Sequence, residues 1–335
     1  MHFLCLALVL LSNLLMVAQT KQIADLEQLG GEVDCIGFST DGRFFFTGSL
    51  ESYVTVWTTA NWTMVKEITP APPPSAAPNE HQDEFRELAA CAVEPKQPSV
   101  LIASGGDSLA VYSLLDGHEL QVRHVDVNYR ALSVSADGEE VAVGTGKQIS
   151  TYSFSDWRKR SELDVHGMVG TLRYAPRGHL LAVAIERTGV QLWNTRTKSL
   201  VRAFSRSGNS AQMNFSPDGR MLAVAVWGGG QQTGVKVWEV SSGKEVAWLA
   251  APTPNAHQND VWAVAFSPDG RYIVSGDTNG NVTLWNTATW KTCAHLGTTG
   301  LYELEVSLDG RWLASGGGHR DAYIWDFRQL AENCR

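Results

Sequence analysis

The stretch whose reading decides the fold is HQNDVWAVAFSPDGRYIVSGDTNGNVTLW, His257 to Trp285. Two of its runs, VWAVAF and NVTLW, alternate with a period of two, which gives a β-strand two distinct faces. Between them lies Ser-Pro-Asp-Gly. Gly accepts positive φ and Asp can bond its own backbone, so this tetrapeptide suits a tight turn between strands. The stretch then ends on a Trp.

The same order recurs along the chain. The turn appears as FSTDGR at Phe38, VSADGE at Val134, YAPRGH at Tyr174, FSPDGR at Phe215, FSPDGR at Phe266 and VSLDGR at Val306, with VEPKQP at Val93 a degenerate copy. After each turn come a short apolar run, a Gly-rich break and a second run ending in an aromatic. Those aromatics are Trp57, Tyr112, Tyr152, Trp193, Trp238, Trp285 and Trp325, at intervals of 55, 40, 41, 45, 47 and 40 residues. A strand-rich repeat of this length with a terminal Trp is the period of a propeller blade. One four-stranded sheet leaves two faces and two edges exposed. Stacking such sheets face to face around a ring buries the faces and leaves only short edges. The repeated aromatic fills the space between neighbouring sheets, each burial contributing roughly 1.5–3 kcal/mol.

At this point the sequence resembles the WD-repeat β-propellers, over about residues 21 to 328. The resemblance implies an all-β, seven-bladed β-propeller of four-stranded antiparallel blades, strands a to d from axis to rim. It also implies a ring closed by an N-terminal strand. Outer strands follow six of the aromatics: TMVKEI, HELQVRHV, SELDV, SLVRAF, KEVAWL and KTCAHL. After Trp325 only the short, polar DFRQLAENCR remains, whereas KQIADLEQL, Lys21 to Leu29, has the outer-strand pattern ahead of the first blade. In the family a His before strand a, a Ser in strand b, an Asp in the b–c turn and the strand-c Trp form a buried hydrogen-bond network. By position those roles fall on His257, Ser275, Asn279 and Trp285, with Asn in the acidic place. The terminal Trp-Asp pair survives at Trp325-Asp326.

The chain has a formal net charge of −8, which argues against a general grip on nucleic-acid phosphates. Residues 1–20 contain no Asp, Glu, Lys or Arg and are almost wholly apolar from Phe3 to Ala18, the pattern of a signal peptide. The expectation is therefore an exported chain, periplasmic or extracellular, with residues 1–20 as leader and 21–335 as a single monomeric propeller. It would keep no stable membrane span after cleavage. An uncleaved anchor is the next choice, its run of about 16 apolar residues being short for a span, and a mis-assigned start is the remaining alternative, which would make the chain cytoplasmic. Cys5 would leave with the leader, and Cys35, Cys91, Cys293 and Cys334 permit two disulfides. Cys35 and Cys91 sit in apolar strand runs, where a buried thiol is the default reading.

One rim of the ring, carrying the b–c turns and d–a loops, collects the variable segments, and loops of this kind carry function. The Pro-rich insertion from Thr69 to Phe85 belongs there. So do Glu51, Asp107, Glu186, Arg187, Trp227, Gln231, Asp277, His319 and Arg320 from b–c turns, and Tyr129, Arg130, Asn209, Asp260 and Tyr302 from d–a loops. The strongest partner-binding candidates are Trp227, Arg187, Tyr129, Arg130, Tyr302, His319 and Arg320, because aromatics and Arg dominate binding hot spots.

Catalytic patterns fail. His118-Glu119 with His124 has the wrong spacing for a zinc helix, and GTGK at Gly144 reads as a b–c turn. No Gly-x-Ser-x-Gly elbow occurs. No metal or cofactor is expected. The expected function is non-enzymatic: a scaffold binding a protein or peptide. The alternatives are an exported enzyme or carbohydrate binder, with its site at the top of the central channel, and a structural module of a cell-envelope assembly.

Overall fold

The computed structural model describes residues 22–26, 31–49, 53–70, 88–104, 108–124, 131–204, 209–228, 233–250, 260–298, 300–318, 320–332 and 334. It contains seven four-stranded antiparallel sheets. Six are continuous in sequence, blades one to six, spanning 33–68, 88–124, 131–164, 169–203, 209–249 and 261–297. The seventh combines the last three strands, between Leu301 and Asp326, with the first strand, Gln22–Leu26. Each inner strand contacts the inner strands of both neighbouring blades, blade seven touching blade one, so the sheets form a ring.

Closure is antiparallel pairing of Gln22–Leu26 with Ala322–Asp326, in the register Ala24 to Ile324 and Leu26 to Ala322. The sequence of the closing strand explains its position: Leu26 is buried while Gln22 and Ile23 face solvent, as an outer strand requires. The seven strand-c aromatics lie on the third strand of each blade. Trp238, Trp285 and Trp325 are buried, and Trp57 and Trp193 pack at the edges of the inter-blade apolar clusters. Close approach between blades depends on small residues near the top of strand b. A Cβ on Gly276 of blade six would lie 2.4 Å from Leu301 of blade seven, and one on Gly316 would lie 2.6 Å from Val33 of blade one.

The a–b turns repeat one hydrogen-bond pattern. In blades one, three, five, six and seven the Ser hydroxyl donates to the Asp carboxylate at 2.6–2.7 Å: Ser39 to Asp41, Ser135 to Asp137, Ser216 to Asp218, Ser267 to Asp269 and Ser307 to Asp309. The Asp oxygen accepts the backbone N–H two residues on at 3.0 Å, and the Ser oxygen accepts the N–H opening strand b. The intervening Gly has positive φ, 71° at Gly42 and 70° at Gly270. Blade two substitutes a buried Glu94 that accepts from Ser99.

One expectation is corrected. Cys35 and Cys91 are not buried thiols but a disulfide joining the inner strands of blades one and two, with Cα atoms 6.1 Å apart. These residues face each other across adjacent blades, a relation that their spacing in sequence does not reveal. The polar C-terminal tail adds a short helix, Phe327–Glu332, whose Phe327 and Leu330 are buried against blades six and seven. Among the described residues no helix is long and apolar enough to cross a membrane.

Candidate functional site

Strand direction divides the two faces. Strand a starts and strand b ends on the upper face, so the b–c turns and d–a loops gather there. The a–b turns lie below. On the upper face three aromatic side chains from successive blades form a continuous run. Trp227, ending strand b of blade five, stacks on Trp262, which opens strand a of blade six, with centroids 5.1 Å apart and planes 26° apart. Trp262 meets Tyr302, at the start of strand a of blade seven, at 5.4 Å. All three are half-buried. Offset aromatic contacts at these separations contribute about 0.5–1.5 kcal/mol beyond burial. The run is braced where the backbone N–H of Gly228 donates to Asp260 at 3.0 Å, from blade five to the loop before blade six. Gly318 lies against Tyr302, where an added Cβ would sit 3.1 Å from the hydroxyl.

The Tyr302 end of the run leads to acid. Burial, then Glu32 and Asp34, push the Tyr302 hydroxyl up from its ordinary range. Below it the ring axis is a channel lined by inner-strand side chains. An upper cavity of about 180 Å³ includes Asp34, Arg173, Gln212, Glu303 and Glu305. A lower cavity of about 480 Å³ shares Arg173 and Glu305 and opens beneath the a–b turns at Pro176, Pro217, Pro268 and Leu308.

The channel polar groups are held by two sets of hydrogen bonds. Gln212 of blade five donates to Glu303 of blade seven at 2.6 Å and to the Leu304 carbonyl at 3.2 Å, while its oxygen accepts the Val264 N–H of blade six at 2.7 Å. The Asn214 amide, with its oxygen turned toward Arg173, accepts from Nη2 at 3.0 Å. Burial, then the neighbouring Glu305 charge, push Glu303 up to about 8, with Asp34 adding and Arg173 and the Gln212 hydrogen bond opposing. Burial raises Glu305 too, against Arg173. With so little compensating cation, Glu303 holds its proton into the neutral range.

Of the partner-binding residues expected from sequence, Trp227 and Tyr302 are brought together through Trp262. Arg187 is exposed in the blade-four b–c turn, with φ 57°, and Arg320 is exposed in the blade-seven b–c turn, with φ 66°. Tyr129, Arg130 and His319 lie outside the described residues, as do Glu51, Asp107, Gln231, His257 and the insertion from 71 to 87. Trp262, Glu303, Glu305, Arg173 and Asp34 were not singled out. For the channel groups the signal was available in LYELEV, where two Glu alternate within an inner strand, and in TLRYAP, where one Arg interrupts an inner strand.

The expected hydrogen-bond network takes a different form. Trp285 Nε1 donates to Ser275 Oγ at 2.8 Å. The acceptor in the b–c turn is not at Asn279. It is the buried Asp277, two residues earlier, which accepts from the backbone N–H groups of Asn279 and Asn281 and from Asn281 Nδ2. Asn279 is exposed and contributes only its N–H. Among the described residues no group of three or more His, Cys, Asp or Glu side chains is arranged to hold a metal.

A family model described as WD domain, G-beta repeat matches residues 22–58, 251–286 and 289–326. The chain is 26% identical over 207 residues to transcription initiation factor TFIID subunit 5 of Caenorhabditis elegans, covering 60% of this chain and 29% of that protein. It is 28% identical over 192 residues to eukaryotic translation initiation factor 3 subunit I of Phaeosphaeria nodorum, covering 52% and 51%. Against the serine-threonine kinase receptor-associated protein of Gallus gallus it is 22% identical over 158 residues, covering 47% and 42%. These matches span between about three-tenths and about half of the relatives' lengths.

Proposed function

The chain belongs to the WD-repeat β-propellers, and on that premise we propose that it is a non-enzymatic scaffold binding a protein or peptide across its upper face. The observation that carries this reading is the aromatic run Trp227–Trp262–Tyr302, spread over three blades beside a polar channel mouth. A stacked, half-buried aromatic surface supplies contact area at little cost in side-chain entropy. The relatives support the reading, since two are named as subunits of initiation factors and a third as a receptor-associated protein.

Export is part of the proposal. It rests on the apolar leader and on the Cys35–Cys91 disulfide, a bond that persists in oxidising compartments. The propeller is proposed to act as a monomer.

The test is affinity purification of the full chain from its native source, with N-terminal sequencing of the recovered protein. A partner retained by the lower-face variant Leu308→Ser and lost by Trp227→Ala supports the placement. Equal recovery with both variants defeats it, and an intact residue 1 defeats cleavage.

A second reading, a carbohydrate binder or enzyme at the channel top, is favoured by the raised Glu303 beside Glu305. It ranks lower because the upper cavity, about 180 Å³, is smaller than the roughly 300–1,000 Å³ of small-molecule sites. A glycan-array screen and metal analysis of the purified chain test it.

A further inference from the structure

We propose that Asn61 is an N-glycosylation site, its side-chain amide the acceptor for an oligosaccharide delivered from a polyprenyl-pyrophosphate-linked donor. This rests on the export reading, because a chain meets such a donor on its way out of the cytosol. It places a covalent modification on the lower face, away from the Trp227–Trp262–Tyr302 run.

The sequence holds three Asn-x-Ser/Thr triplets with no Pro in the middle: Asn61-Trp62-Thr63, Asn214-Phe215-Ser216 and Asn281-Val282-Thr283. Such a triplet serves as an acceptor where a bulky, hydrated sugar finds room at the surface. The fold separates the three. Asn214 lies in the inner strand of blade five, where its amide nitrogen donates to the Phe215 carbonyl at 2.9 Å once its oxygen meets Arg173. Ser216 is buried and donates to Asp218. Asn281 opens strand c of blade six, and its amide nitrogen donates to both oxygens of the buried Asp277, at 3.1 and 2.8 Å. Thr283 is buried and its hydroxyl meets His295. A sugar on either of these nitrogens displaces bonds that hold its blade.

Asn61 stands in the c–d turn of blade one, exposed together with Thr63. Trp62 between them turns the other way. At φ 60° its ring meets Phe45 edge-on at 6.0 Å and Trp312 edge-on at 5.2 Å. Anchoring the middle residue in the core leaves both flanking side chains outside. There the Thr63 hydroxyl donates to Asn61 Oδ1 at 2.8 Å, and the Thr63 N–H donates to the same oxygen at 3.4 Å. The oxygen end of the amide is engaged, while Nδ2 makes no hydrogen bond among the described residues.

The turn itself does not need that nitrogen. In the same place stand Asp116 of blade two, Asp156 of blade three, Ser242 of blade five and Thr289 of blade six, each accepting the N–H two residues on through a side-chain oxygen at 3.2–3.4 Å. An acceptor is all the turn requires. Asn61 supplies the acceptor and a spare nitrogen besides. The outer strand that follows exposes Met64 and Val65 on an unpaired edge. A sugar at the turn shields that apolar edge from pairing with another chain.

In the transfer Nδ2 bonds to the anomeric carbon of the first sugar. The bond from that carbon to the pyrophosphate oxygen breaks with its electron pair, the polyprenyl pyrophosphate leaves, and Nδ2 gives up one proton. Neither oxidant nor reductant enters.

The experiment is peptide mapping of the full chain recovered from its native source, before and after peptide-N-glycosidase in heavy-oxygen water. The Asn61 peptide is expected to carry sugar mass before treatment and a heavy-oxygen carboxylic acid at position 61 after it, with Asn214 and Asn281 unmodified. Asn61→Asp keeps the turn acceptor of blades two and three and is expected to lose the sugar at unchanged β circular dichroism. Thr63→Ala loses it and Thr63→Ser retains it. N-terminal sequencing of the same sample separates the two readings. A chain without residues 1–20 whose Asn61 is bare overturns the glycan and leaves export standing. A bare Asn61 on a chain with residue 1 intact overturns both. Sugar on Asn61 of a chain retaining residue 1 upholds the modification and defeats cleavage instead. Sugar mass that persists in Asn61→Asp lies elsewhere and overturns the assignment.

Discussion

Tyr174, on the inner strand of blade four, donates its hydroxyl hydrogen bond to Glu140, opening strand b of blade three. Both are buried, and Arg160 stands 3.8 Å from the same carboxylate. Burial and then the Glu140 charge hold the Tyr174 proton in place far above the usual phenol range. The contact ties two blades at a point where their apolar faces already meet.

Removing only the hydroxyl isolates this bond. Tyr174→Phe keeps the ring and leaves Glu140 buried without its strongest donor. The expected loss is about 1–3 kcal/mol, read as a lower denaturant midpoint at unchanged slope. A loss below about 0.5 kcal/mol would mean that Arg160 moves in to compensate.

The b–c turn of blade six separates the sequence expectation from the observed geometry. Asp277→Ala strips the acceptor from Asn279 and Asn281 and is expected to destabilise by about 1–3 kcal/mol. Asn279→Ala changes an exposed side chain and should stay within about 0.5 kcal/mol. Thermal melts of the two variants check the order, and equal effects contradict it.

Cysteine chemistry divides Cys35, Cys91, Cys293 and Cys334. Non-reducing peptide mapping is expected to recover Cys35 linked to Cys91, with Cys293 and Cys334 recovered as free thiols and Cys334 alkylated more slowly in the native than in the unfolded protein. Burial, then contact with Cys293, raises the Cys334 thiol and slows its reaction in the native protein. The closed loop spans 56 residues, for which the chain-entropy relation gives about 4 kcal/mol lost on reduction. A melting temperature indifferent to reductant would show that the bond does not form.

Acid sensitivity is set by the repeated turns. For Asp218 the Ser216 hydrogen bond, and for Asp41, Asp137, Asp269 and Asp309 the Ser and backbone donors acting against burial, hold the carboxyl below its ordinary value. A depressed folded value means the unfolded chain binds protons more readily. The stabilisation is therefore complete above about pH 4 and disappears as pH falls through the folded values. Urea titrations at stepped pH are expected to show this acid limb, and Asp218→Asn and Asp269→Asn together to make it shallower. A limb of unchanged steepness would place the acid sensitivity elsewhere.

The architecture was legible because its determinants are local and repeated. Period-two alternation marked the strands, Asp-Gly marked the a–b turns, and the seven aromatics marked strand c. The closing strand was legible as an outer strand without a sheet. What escaped was pairwise or singular. Cys35 and Cys91 meet only because blades one and two are neighbours. Trp262 alternates like any strand residue, and nothing in VWAVAF shows that Trp227 and Tyr302 flank it. A second set of aromatics also went unread: Trp62, Trp157 and Trp290 occupy c–d turns at φ 60°, 55° and 57°, where blades two and five use Gly117 and Gly243. Their rings pack against inter-blade clusters, which offsets a backbone conformation costing about 1–3 kcal/mol for a non-Gly residue.

The pairing of Ala24 with Ile324 joins the first described strand to the last. During synthesis the first strand emerges early and finds no sheet of its own; its mate follows about 300 residues later. Six wedges can assemble as they leave the ribosome, but the hoop stays open until that mate has emerged. Until then Ala322–Asp326 would be an unprotected edge, so the interval between emergence and clasping is when this molecule is most exposed to wrong partners, including another nascent copy of itself.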